Sequence, residues 1–231
     1  MFFCGLIQYE RLLLIMTNEI NLNIKKTLPP IIEVCTPTLE SAIAADHSGA
    51  NRIELCQDIE NGGITPPHAE IEFCINHLKL KTNVLIRPRA GNFVYSDTEF
   101  EVIKNDVLYC KNLGINAVVV GFLHDDFTID IDKTTEIVNL TKPMEVTFHR
   151  AFDVCADWKI ALEQIIQCGC TRILTSGQKP TAMEGAENIK QMVKQAGDRI
   201  IILAGSGITW ENYKQLVKFT GVREVHGTRL V

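Results

Sequence analysis

From Ile31 onward the chain alternates two hydrophobic patterns. Short apolar runs with a period of two are separated by longer segments whose apolar residues fall three or four apart. The short runs predict strands at 31–35, 52–56, 83–89, 117–123, 145–150, 172–177, 199–205 and 224–228. The longer segments predict helices. Leu39 and Ile43 precede a stop at Gly49, and Ile71, Cys74, Ile75 and Leu78 share one face. Ser96-Asp97-Thr98-Glu99 has the spacing of a capping box and opens a helix that carries Val102, Ile103, Val107 and Cys110. Two further segments end at Gly169 and Gly197. Eight strands at intervals of roughly 21 to 34 residues, each but the last followed by a helix, predict an α/β fold, the TIM-type (β/α)8 barrel. An open doubly wound sheet is the competitor, but its strands read as apolar on both faces. No helical segment follows the eighth strand before Val231, so the expected barrel lacks the final helix. Residues 29–231 form the predicted single domain, and residues 1–28, polar and aperiodic after Met16, read as a loosely ordered leader.

The two faces of the strands differ in chemistry. Ile32 and Val34 share one face of the first strand, and Glu33 and Cys35 share the other. Ile53 and Leu55 oppose Glu54 and Cys56, and Val84 and Ile86 oppose Arg87. His149 points the same way as Thr147, and His226 the same way as Glu224. Desolvating unpaired charges costs several kcal/mol each, of order 3–5 when a buried pair is broken, so a sheet selected only for stability does not collect them on one interior surface. The polar interior reads as a site.

Composition narrows what that site can serve. The 231 residues are 46% hydrophobic and 22% charged, ordinary for a globular domain. A net charge of -5 and the lack of basic clusters interleaved with aromatics argue against nucleic acid as a partner. No apolar stretch reaches the ~20 residues of a membrane span. Eight cysteines at irregular spacing, without a secretory signal or a CxxC pair, suit a reducing, cytoplasmic setting better than a disulfide framework.

In barrels of this kind the working residues gather at the C-terminal ends of the strands. Cys35 and Cys56 fall on neighbouring strands ~4.8 Å apart. They either bind one soft ion between them, most simply monovalent copper, or pack as two small hydrophobes. Glu33, Glu54, His149 and His226 are candidate proton-transfer groups, and the histidines are also candidate metal ligands. Asp153 either orients Arg150 or a ligand, or caps the following helix. Arg87 and Arg89 form a candidate anion clamp, or an internal salt-bridge layer with the glutamates. Arg150, Ser176, Gly177, Gly205 and Gly207 complete a candidate anion cradle in the loops after strands five, six and seven.

The segments Glu33-Val-Cys35, Arg52-Ile-Glu54-Leu-Cys56, Gly62-Gly63-Ile64-Thr65-Pro66, Ile86-Arg87-Pro88-Arg89, His149-Arg150-Ala-Phe-Asp153, Leu-Thr-Ser176-Gly177 and Gly205-Ser206-Gly207-Ile-Thr occur in this order. Together they closely resemble the CutC family of copper homeostasis proteins, over about residues 31–228. The resemblance implies a TIM-type barrel in the cytoplasm, a homo-oligomer, and monovalent copper held by Cys35 and Cys56, with no organic cofactor. Ser206 departs from the glycine usual in the family. The residues leave a second reading open. In it the chain is a barrel enzyme, an isomerase, lyase or hydrolase, acting on a small anionic or phosphorylated metabolite at the C-terminal mouth.

Overall fold

A computed structural model of the chain describes residues 29–230. The expected leader, residues 1–28, lies outside the described residues. Eight parallel strands close into a barrel in sequential order: β1 (Ile31–Thr36), β2 (Arg52–Leu55), β3 (Lys81–Leu85), β4 (Ala117–Val120), β5 (Glu145–Phe148), β6 (Arg172–Thr175), β7 (Ile201–Ala204) and β8 (Glu224–Gly227). Seven helices link them: α1 (Leu39–Asp46), α2 (His68–His77), α3 (Asp97–Asn112), α4 (Ile131–Thr141), α5 (Trp158–Cys168), α6 (Ala186–Ala196) and α7 (Tyr213–Thr220). The predicted (β/α)8 fold is correct, and among the described residues no helix follows β8. Apart from β1, which runs one residue further, the strands end earlier at their C-terminal ends than the apolar runs predict. Arg87, Arg89, His149 and Ser176 therefore sit on the loops just past the strands, where side chains are free of the ladder.

Local signals set the helix ends. At the start of α3, Ser96 Oγ accepts from Glu99 N–H and the Glu99 carboxylate accepts from Ser96 N–H, the expected capping box. Thr38 and Ser41 make a second one at α1, and Asp157 caps α5 through Lys159 and Ile160 N–H. Gly169 and Gly221 end α5 and α7 in left-handed conformation.

The outward strand face carries Val34, Ile53, Val84, Val118, Val146, Ile173, Ile202 and Val225, all buried against the helix layer in one continuous core. Burying such side chains stabilises by about 1.5–3 kcal/mol each. The inward face is different in kind. Near the N-terminal end of the barrel it holds a charged layer. Arg52 donates to Glu33 Oε2 at 2.5 Å and also to Glu224 Oε2, while Arg172 bridges Glu224 (2.9 Å) and Glu145 (2.8 Å). Asn83 donates a further 2.8 Å hydrogen bond to Glu33 Oε2. Above that layer Cys35, Cys56, Leu85 and Val119 form a small apolar cluster of their own.

Candidate functional site

Register explains how the site assembles. Glu33 on β1 pairs with Arg52 on β2 and with His226 on β8, and Cys35 pairs with Glu54. Side chains of one parity therefore converge from three adjacent strands. Cys35 Sγ lies 3.6 Å from Cys56 Sγ. His226 Nδ1 donates to Glu33 Oε1 at 2.8 Å, and its Nε2 lies 3.5 Å from Glu54 Oε2. Donor atoms of Cys35, Glu54 and His226 all lie within 4.8 Å of one another, and all three residues are buried.

Burial and pairing compete at each of these groups. Burial alone would raise the Glu33 carboxyl, but the hydrogen bond from His226 and the charge of Arg52 outweigh it and hold the group down at about 2. Glu54 is raised because burial outweighs the attraction of His226, with Glu33 adding like-charge repulsion. Burial would lower His226, but the Glu54 and Glu33 carboxylates raise it. Cys35 is pushed well above the ordinary thiol range by its contact with Cys56 and by burial. Without an ion, Cys35 is therefore a thiol.

Of these groups Cys35, Glu54 and His226 line a cavity of about 480 Å³ at the C-terminal mouth of the barrel, and Glu33 does not. Cys56, Arg87, Phe93 and His149 line it as well. Arg87 is carried by the Gly62-Gly63 turn. Its Nη1 donates to the carbonyls of Asn61 and Gly63 and its Nη2 to that of Gly91. Both glycines have φ near +86°, and a Cβ on Gly63 would lie 2.7 Å from Leu85 Cδ2. His149 sits just past β5, and burial together with the Arg87 charge lowers it to about 3.

Other sequence candidates lie elsewhere. Glu33 is beneath the cavity, in the charged layer. Arg89 points away from the mouth and pairs with Glu99 at 2.5 Å at the start of α3. Asp153 is buried under the loop after β6, where it accepts from the N–H groups of Ser176 and Gln178 and the hydroxyls of Thr175 and Ser176. It also pairs with Arg150, which lines the cavity and donates to Ser176 Oγ. Ser176, Gly177 and Gly205 build this region without lining the cavity, whereas Gly207 lines it. Ser206 takes φ of 78° where glycine would be unstrained, and its hydroxyl donates to Pro180 O at 2.8 Å. Reasoning from the sequence singled out neither Arg52 nor Arg172 nor Asn83. Arg52 has the same parity as Glu54 and Cys56, and that signal could have found it.

The donor set partly fits a soft monovalent ion. Two thiols in contact, with a histidine nearby whose Nδ1 is already tied to a carboxylate, is the arrangement that presents Nε2 to a metal. Glu54 is a hard donor and adds little to such an ion.

Comparison with known proteins fits this picture. The CutC family's sequence profile matches residues 30–231. The chain is 45% identical to a CutC-family protein of Glaesserella parasuis over 195 residues, 84% of this chain and 80% of that one. It is 44% identical to one from Bacteroides fragilis over 197 residues, covering 85% of this chain and 78% of that protein. The crystal structure of Streptococcus agalactiae CutC, named for copper homeostasis, superposes with a TM-score of 0.83 at 34% identity, covering 87% of this chain and all of that one. An aldolase of 16% identity superposes at 0.64, over 88% of this chain and 90% of its own, and shares the barrel alone. With the profile matched across the barrel and relatives this similar, the chain belongs to the CutC family.

Proposed function

We propose that this protein binds one monovalent copper ion between Cys35 and Cys56 at the floor of its mouth cavity. The observation that carries the reading is the 3.6 Å separation of the two thiols, which a soft ion can bridge after both protons leave. His226 is the natural third donor, with Glu33 holding its other nitrogen. The name of the Streptococcus agalactiae relative supports the same direction. The test is an anaerobic copper(I) titration against a competing chelator, on the native protein and on Cys35→Ser/Cys56→Ser. One-to-one binding lost in the double variant is expected. Binding left unchanged by it would remove copper from these residues. Glu33→Gln should weaken binding by roughly 10- to 100-fold, as expected for a group that orients a ligating histidine.

A second reading rests on a different observation. An ion needs no cavity of about 480 Å³, a volume in the range of small-molecule sites. Arg87 and His149 on its wall favour a small, oxygen-rich organic ligand and, with Glu54 and His226 in the same lining, a barrel enzyme of the isomerase, lyase or hydrolase type. The cytoplasm is the setting that suits the thiols in either case.

A further inference from the structure

His149 holds its ring in a way that decides what it can do. Nδ1 accepts the backbone N–H of Ala151 at 3.1 Å, at the start of the short helical turn Arg150–Val154. A nitrogen that accepts carries no proton, so the ring is neutral and its single proton is on Nε2. That Nε2 is buried and has no hydrogen-bonding partner among the described residues, although His149 lines the cavity. The ring cannot turn to satisfy it. Its Nδ1–Cε1 edge lies on Gly121, where a Cβ would come within 2.4 Å of both atoms, and Phe93 packs on it at 4.9 Å between ring centroids. Phe93 also lies 5.0 Å beneath the Arg87 guanidinium. Arg87 is buried, its Nη1 and Nη2 meet neutral carbonyl oxygens, its Nε has no hydrogen-bond partner, and among the described residues no carboxylate pairs with it.

A buried N–H donor without an acceptor, beside a buried positive charge without a counter-ion, is an incomplete arrangement. An oxygen that carries or develops negative charge completes it. We propose that His149 is a fixed neutral hydrogen-bond donor, and that with Arg87 it receives the carbonyl oxygen of a small, oxygen-rich carbonyl compound, of which the α-hydroxy carbonyls are the simplest probes. The inference rests on the small-molecule reading of the cavity and is independent of the thiols. It also changes the role of His149 from proton relay to polarising group. An imidazole whose Nδ1 is occupied and whose Nε2 keeps its proton cannot act as a base; it can only stabilise charge on the oxygen it holds.

The test uses the full chain, free of copper, with the histidine rings labelled with 15N, and three probes: dihydroxyacetone, glycolaldehyde and glycolohydroxamate, a mimic of the enediolate. His149 is expected to show a protonated Nε2 and an unprotonated Nδ1 throughout pH 5 to 8. At least one probe should move the Nε2–H resonance, and the same response should persist in Cys35→Ser/Cys56→Ser. Binding of that probe should weaken about tenfold, the loss expected for one hydrogen bond, in His149→Asn and in Arg87→Lys. Should either variant misfold, the other reads the loss alone, and Ser96→Ala, at the start of α3 and away from the cavity, should retain the response. A His149 that titrates in this range, or saturating probes that leave Nε2 unmoved in the native protein, would overturn the proposal. Copper binding could survive that result, and a failed copper titration would leave this response standing.

Discussion

The two halves of the barrel interior hold similar residue types in opposite states. At the N-terminal end, Arg52, Arg172, Glu33, Glu145, Glu224 and Asn83 interlock so that each charge meets its counter-charge. At the mouth, among the described residues, Arg87 pairs with no carboxylate and His149 Nε2 has no hydrogen-bond partner, and Glu54 and Cys35 are raised toward their neutral forms. Buried charge by itself does not mark a site, because the lower layer, apart from the half-exposed Glu145, is as buried and as charged as the upper one. What separates them is completeness. The lower layer is satisfied by the chain itself, and the upper one keeps donors unmet among the described residues.

Removing one member of the complete layer should have the largest effect. Arg52→Met leaves Glu33 and Glu224 buried without their shared cation and should cost about 3–5 kcal/mol, read as a lower urea midpoint at unchanged m-value. A mouth variant such as Cys56→Ser should cost clearly less; an equal loss would erase the distinction between the halves.

Acid acts on the same layer. A carboxyl lowered by folding stabilises the fold above its unfolded value and loses that contribution as pH falls through its folded value. Glu33 moves from 4.5 to about 2, so stability should drop by roughly 2–3 kcal/mol between about pH 4.5 and 2. Glu33→Gln should flatten that limb of the urea-midpoint profile. His226 is raised, so its contribution is complete below its unfolded 6.5 and fades as pH rises through its folded value. Alkaline loss should therefore be absent from His226→Gln.

Gly121→Ala sharpens the comparison from the mouth side. The added methyl meets the His149 ring and should cost about 1–3 kcal/mol in thermal unfolding. It should also break the Ala151 N–H to Nδ1 bond, seen as an exchange-exposed Ala151 amide. The smallest effect belongs to a change remote from both halves. Ser96→Ala removes the α3 cap for about 1 kcal/mol and should leave copper binding and the His149 resonances as they are.

Much of this was legible along the chain, because alternation on a strand is local. The parity of Ile32, Val34, Ile53 and Val84 assigns the helix-facing side, and Glu33, Cys35, Glu54, Cys56 and His226 fall on the other, as the barrel places them. Arg89 and Asp153 were harder. Both lie past their strands, where the chain bends and parity no longer constrains direction. Arg89 turned to pair with Glu99 at the start of α3, and Asp153 turned under the β6 loop. The helix cap at Ser96 was local, and the structure keeps it.

The alternation of strands and helices and the polar inner face follow from the amino-acid sequence alone, since each depends on neighbours within one or two turns of chain. Which charges are paired and which are left waiting depends on closure. Glu33 meets His226 across 193 residues, and Arg52 meets Glu224 across 172. Only the joining of β8 to β1 brings those side chains to hydrogen-bonding distance. Short-range periodicity carries no record of that contact, so the division into a complete layer and an incomplete mouth belongs to the tertiary structure.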